Sequence, residues 1–169
     1  MAKVDRSRFP PGEWDSEPDE LFWVDAETGL ECWIHRSFLG SLCGYVGVRQ
    51  GSRLHGIKYS AGDVEGVRVH GGLTFSGSLT EATAGMWFFG FDCAHFSDYA
   101  PGMHVPGLSH DYRDIGVYRD IAYVQREVAS LALQIQELNG RPVRTRKPAP
   151  EPKPKLKVIG SFKRVVELE

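Results

Sequence analysis

Four side chains that can carry protons or hold a metal ion fall within the seven residues "DCAHFSD": Asp92, Cys93, His95 and Asp98. An imidazole titrates near neutrality, and a neighbouring carboxylate can fix its orientation. On a helical turn Asp92, His95 and Asp98 would follow at i, i+3 and i+6 along one side. Such a side suits either a divalent metal or general acid–base catalysis. The competing reading is a polar turn in which Asp92 caps, His95 makes a core hydrogen bond and Asp98 is solvated. Cys93 is a candidate nucleophile for His70 or His95, against the commoner role of a small buried hydrophobe.

A second stretch, "VHGGLTFSG", puts His70 before Gly71 and Gly72, with Thr74 and Ser76 following. Glycine turns leave backbone N–H groups open to an anion, and the hydroxyls add donors, so this is material for an anion or oxyanion pocket. A bare tight turn is the alternative. The candidate catalytic residues are therefore His70, His95 and Asp92, and the candidate ligand-binding residues are Gly71, Gly72, Thr74, Ser76 and Asp98. No C-x-x-C, H-E-x-x-H, G-x-G-x-x-G, P-loop or G-x-S-x-G motif occurs, which leaves zinc-motif, dinucleotide, P-loop and nucleophile-elbow readings unsupported. No cofactor is specified. Trp33 and Trp87 are core residues by type, or else walls of a ligand pocket. His104 and His110 lie where a loop could close over a site.

Several elements must position these residues. "LFWVDAETGLECWIHR" reads as a hairpin turning at Asp25 to Gly29, with Gly29 taking positive φ. A strand over Leu42 to Arg49 follows; its Gly44 and Gly47 signal a bulge or a close approach by another group. "GVRVH" predicts a strand ending at His70. "MWFFGFD" predicts another, with Trp87, Phe89 and Phe91 on one face and Phe88, Gly90 and Asp92 on the other. Apolar residues on both faces make it a central strand. Ile121, Val124, Val128, Leu131, Ile135 and Leu138 recur at helical spacing, between a start signal at Asp120 and a stop at Asn139-Gly140. Packing of that stripe on the sheet is favoured over a short coiled coil. In "YRDIGVYRDIAYV" the Arg-Asp pairs read more simply as structural ion pairs than as phosphate clamps.

The expected fold is a single α+β domain, a mostly antiparallel sheet packed against one long C-terminal helix and followed by a basic Pro/Lys-rich tail. The divisions are an N-terminal arm (1–20), the globular domain (21–140) and the tail (141–169). Residues 1–140 hold 11 Lys and Arg against 19 Asp and Glu, a net of −8, whereas residues 141–169 hold 9 against 3, a net of +6. An acidic body argues against nucleic acid as a partner of the globular domain. The tail could instead engage a protein partner. Three cysteines without a close pair, no signal-like N-terminus and no long apolar run point to a reducing cytoplasm and no membrane.

With "GYVGV", "VHGGLTFSG", "WFFGFDCAH" and "YRDIAYV" in view, the chain resembles a family of small proteins, without assigned chemistry, common in phage and prophage genomes and in some bacteria. The resemblance runs from about Leu39 to Leu133. His70, Asp92, His95 and Asp98 match its motifs; Phe75 stands where Tyr is usual, and Phe96-Ser97 where Ala-Gly is. It implies a phage-type accessory protein in the host cytoplasm. The leading functional expectation is binding of a small polar ligand, such as a nucleotide or nucleotide-derived signal, with or without hydrolysis. The rival is a non-enzymatic interaction protein that engages a host or virion partner through its acidic face or basic tail.

Overall fold

The computed structural model describes residues 4–80, 83–103 and 116–140. Five strands are present among them: β1 (Glu20–Val24), β2 (Glu31–Arg36), β3 (Leu42–Arg49), β4 (Phe75–Gly77) and β5 (Met86–Asp92). They form one antiparallel sheet in the order β1-β2-β3-β5-β4, crossed on one face by the helix α1 (Ile121–Leu138). The predicted α+β architecture is therefore present, with β5 inside the sheet.

The β1–β2 hairpin turns as its residues dictate. Asp25 Oδ1 accepts from the Thr28 backbone N–H at 2.8 Å and from its hydroxyl at 2.7 Å, while Gly29 adopts φ +69. On the α1 face Cys32 and Ile34 lie opposite Val46 and Gly44, which in turn lie opposite Phe89 and Phe91. The helix seats Val124, Val128, Leu131, Ala132 and Ile135 on this layer, all of them fully buried. The strand glycines permit close approach without a bulge, since the register of β3 is continuous on both sides. A Cβ at Gly44 would come within 2.6 Å of Val128 and 2.7 Å of Phe91, and one at Gly47 within 2.6 Å of Met86.

Helix α1 starts at Asp120, whose side chain accepts from Tyr123 N at 2.6 Å, a cap that stabilises such an end by about 1 kcal/mol. It stops at Asn139, with Gly140 at φ +76. No described helix is long and apolar enough to cross a membrane.

The predicted strand ending at His70 is absent. Val67 to Val69 carry no regular structure and lie beside α1, where helix side chains take the place of a neighbouring strand. Gln134 accepts from Arg68 N at 2.7 Å and donates to Arg68 O at 2.9 Å, and Glu127 accepts from His70 N at 2.7 Å. Backbone polar groups need partners, and a helix face supplied them here.

Residues 4–19 are bound to the body at two points. Trp14 is buried against Tyr99 and Tyr118, with ring centroids 5.4 and 5.0 Å away. Arg36, wholly buried at the end of β2, donates to Glu17 at 2.7 Å, Asp19 at 3.1 Å, Gly40 O at 2.9 Å and the Tyr118 hydroxyl at 2.6 Å. Glu17 also accepts from Ile121 N at 2.9 Å, so the same carboxylate helps terminate α1. Tyr118 and the helix start are thereby fixed relative to β2. The tail, residues 141–169, lies outside the described residues.

Candidate functional site

The end of β5 divides what the sequence places together. Asp92 is the last strand residue and pairs with Cys43 on the sheet face away from α1, whereas Cys93 turns into the core under the helix. Successive residues of a strand point to opposite sides, and that alternation separates Asp92 from the chemistry that follows. Its carboxylate accepts from the Thr74 hydroxyl at 2.8 Å and from Ala94 N at 3.1 Å. The anticipated helical turn from Asp92 to Asp98 is not formed. A shorter turn is, closed by Asp98 N donating to His95 O at 2.8 Å.

Asp98 is the centre of the cluster. Its side chain is fully buried, and Oδ2 lies 2.7 Å from His70 Nε2 and accepts from His95 N at 3.0 Å. Oδ1 accepts from Arg119 Nε at 3.0 Å. Burial pushes this carboxyl up, but the hydrogen bonds from His70, Arg119 and the His95 N–H outweigh it and hold the group below its ordinary range. Asp98 is thus an ionised acceptor at neutral pH, so His70 carries its proton on Nε2. In the neutral ring, His70 Nδ1 then accepts from the Tyr123 hydroxyl, 2.9 Å away. With Glu127 on its backbone N–H, His70 is held at every polar atom but its carbonyl.

His95 is placed differently. Its ring lies edge-on to His70, centroids 5.3 Å apart, and keeps about a third of its side-chain surface exposed. Its Nδ1 is buried and faces Asp98 Oδ2 at 3.4 Å without a hydrogen bond to any described residue. The ring covers Gly71: a Cβ there would fall 1.9 Å from His95 Cε1, and Gly71 adopts φ +63. This is the reason for the first glycine of "HGG". The second serves the turn, with its N–H donated to Val69 O at 2.9 Å and therefore not offered to an anion. Thr74 is engaged with Asp92, and the Ser76 hydroxyl accepts from Tyr59 N at 2.8 Å. Of the sequence candidates, His70, Gly71, His95 and Asp98 come together; Asp92 with Thr74, and Ser76, are occupied elsewhere.

No family model, curated protein or solved structure matches this chain.

Three members of it escaped the motif reading: Arg119, Tyr123 and Glu127. Arg119 stacks over the Tyr123 ring at 4.9 Å while it holds Asp98, and Arg126 approaches the same ring at 5.8 Å. The signal lay in "YRDIAYV", where Arg119 and Tyr123 sit four residues apart and so share one side of a helix start. A short parallel bridge, with Val117 N donating to Ser97 O and Tyr99 N to Val117 O, lays this segment against Asp98. For Arg119 the Arg-Asp pairing is made across the fold, to Asp98, while Arg113 and Asp114 lie outside the described residues.

Trp33 and Trp87 are held by the body of the fold. Trp33 is buried among Tyr45, Phe88 and His35, and Trp87 donates its indole N–H to Ile57 O at 2.8 Å. His104 and His110 lie outside the described residues. A groove of about 630 Å³ opens at the far end of α1, beside Ser52, Gln136 and Asn139. Of its charged lining residues Arg49 and Glu31 pair at 2.9 Å and Arg53 adds a further positive charge, but it brings together no histidine and carboxylate as the His70–His95–Asp98 cluster does.

Cys93 is not an activated nucleophile. Burial, reinforced by the nearby Asp98 charge, pushes its thiol up; burial also raises Cys32, and takes Cys43 up to about 11. All three thiols should resist a maleimide or disulfide reagent at pH 8 in the native protein and react together in denaturant. Rapid labelling of Cys93 in the native chain would contradict this account.

Proposed function

We propose that the chain is a phage-type accessory protein that binds a small polar ligand over His95 and hydrolyses it, a phosphate ester of the nucleotide or nucleotide-derived class being the best chemical fit. One observation carries the reading: two motif ends far apart in sequence deliver His70 and His95 to a single buried, ionised carboxylate. A carboxylate so placed orients imidazoles and stabilises the cation that forms when one takes a proton. His95, the more exposed ring, is the group facing the ligand. Water gives it a proton while the water oxygen bonds to phosphorus; the ester oxygen leaves and takes that proton back. Arg119 and Arg126 supply positive charge near an anionic ligand. His70, locked between Tyr123 and Asp98, positions the carboxylate.

The test is mass spectrometry of small molecules released by heating the purified protein, followed by turnover assays on what is released. Gly71→Ala is the sharpest variant, because its methyl group would displace the His95 ring. Gly71→Ala and His95→Ala should each lower turnover by about 100-fold or more, the usual contribution of a general acid or base. Undiminished ligand capture and turnover in both variants would sink the proposal.

A second reading, a protein-interaction role, has one observation in its favour: Phe96, next to His95, is 94% exposed, and Phe38 is 82% exposed. If a host or virion partner is what this face serves, Phe96→Ala should abolish its capture. Loss of capture on deleting residues 141–169 would place the contact on the basic tail instead.

A further inference from the structure

We propose that His70 Nε2, His95 Nδ1 and Asp98 Oδ2 together bind one divalent first-row transition-metal ion, of the zinc, cobalt or iron(II) type. The inference rests on the reading that this cluster is the functional site, and it names what the cluster binds before any organic ligand. Each of the three residues offers a ligand atom within 4.8 Å of those of the other two, on two chain segments brought together by the fold, and Asp98 Oδ2 lies 2.7 Å from His70 Nε2 and 3.4 Å from His95 Nδ1. His95 Nδ1 is the decisive atom. It is buried, faces inward, and makes no hydrogen bond to any described residue. A buried polar atom left so is costly unless something occupies the space before it. A proton would not serve well, because at 3.4 Å from Asp98 Oδ2 the geometry is too long for a good hydrogen bond.

That distance suits a shared ion. With bonds of about 2.0–2.1 Å, a tetrahedral centre holds its ligand atoms roughly 3.3–3.4 Å apart. The His95–Asp98 pair is already at that spacing, and the His70–Asp98 pair, now at 2.7 Å, must open by about half an ångström. The surrounding groups are placed as outer supports. Arg119 takes Asp98 Oδ1, and Oδ2, which accepts from His95 N, keeps its second lone pair for the metal. The Tyr123 hydroxyl sits 2.9 Å from His70 Nδ1, the atom that must carry a proton once Nε2 binds an ion. On binding, the His70 proton moves from Nε2 to Nδ1 and Tyr123 turns from donor to acceptor, so a neutral ring loses no proton overall. Two imidazoles and one carboxylate favour zinc and its neighbours over magnesium or calcium, which want oxygen ligands. Three protein ligands leave a coordination position for water on the exposed side of His95; with Nδ1 on the ion His95 no longer takes the proton, and water acidified by the ion becomes the source of the attacking hydroxide in its place.

The experiment uses the full chain, stripped with a chelator and titrated with Co2+, followed by Zn2+ competition and elemental analysis. Expected is one Co2+ per chain, with the strong visible absorption of a four-coordinate centre, displaced by one equivalent of Zn2+. His95→Gln should weaken Co2+ by more than about 100-fold, and Tyr123→Phe, which touches no metal, by about 10–100-fold. Circular dichroism and melting of the stripped variants establish that they fold; His95, with a third of its side chain exposed, tolerates replacement. No saturable one-to-one binding, or binding indifferent to His95→Gln in a folded chain, would overturn the metal site. Ligand capture and turnover by a stripped wild-type chain that shows no saturable Co2+ binding would refute the metal and leave the proposed function standing. Tight metal binding with no captured ligand would do the reverse.

Discussion

Arg36→Met should lower the unfolding free energy by about 3–5 kcal/mol, read as a fall in the urea midpoint without a change in slope. The guanidinium is wholly buried and ties Glu17, Asp19, Gly40 O and Tyr118 to the end of β2. Methionine fills much of the volume but leaves the Glu17 carboxylate without its cation. Asp19 suffers less, because Arg6 also pairs with it. Arg36→Lys keeps the charge and loses the fork that reaches four acceptors, so it should fall between the two. Arg49→Ala is the contrast: that arginine is 73% exposed beside Glu31, and its loss should cost less than about 1 kcal/mol. Equal effects at Arg36 and Arg49 would show that the buried hub does not hold the arm and the helix start together. Loss of the hub should also reach the site, since Tyr118 immediately precedes Arg119 and Glu17 caps the helix that carries Tyr123.

Asp98→Asn is expected to abolish turnover and metal binding and to cost about 3 kcal/mol, the lower end for breaking a buried charged pair. Asparagine keeps the shape, but its two faces cannot both accept: either its NH2 opposes Arg119 Nε or it opposes the His70 Nε2 proton. The pH dependence separates this carboxylate from the rest of the acidic body. In the metal-free protein Asp98 titrates lower when folded than when unfolded, so the unfolded chain takes up the proton first. Its stabilisation is therefore whole above the ordinary value of 3.8 and is lost as pH falls through the lower, folded value. Wild-type stability measured by urea should drop steeply across that acid window, and Asp98→Asn should flatten the drop. A variant whose acid limb runs parallel to that of the wild type would show that the carboxylate is not held by His70 and Arg119.

Much of the architecture was legible because its periods are local. The alternation in "MWFFGFD", the Asp25–Gly29 turn and the apolar stripe of α1 are each written within one element, and each element formed where its period predicts. The segment before His70 misled for the same reason. "GVRVH" has the residue types of a strand, yet its backbone partners are Gln134 and Glu127 of α1, which no local pattern can announce. A helical turn through "DCAHFSD" failed because β5 continues to Asp92, and strand alternation then sends Asp92 to one face and Cys93 to the other.

By itself the sequence determined the α+β class, the helix and its caps, and it singled out His70, Asp92, His95 and Asp98 as candidates. Which carboxylate serves the histidines was decided only in three dimensions. Asp92 and Asp98 are chemically identical in the text, but one ends on the sheet face away from α1 with Thr74 and the other has its side chain buried between His70 and Arg119, beside the segment that leads into α1. Arg119, Tyr123 and Glu127 reach the cluster through the helix start that Arg36, Glu17 and Trp14 hold in place. A buried carboxylate is shaped by whatever charges surround it, and those neighbours come from chain positions that only packing brings together.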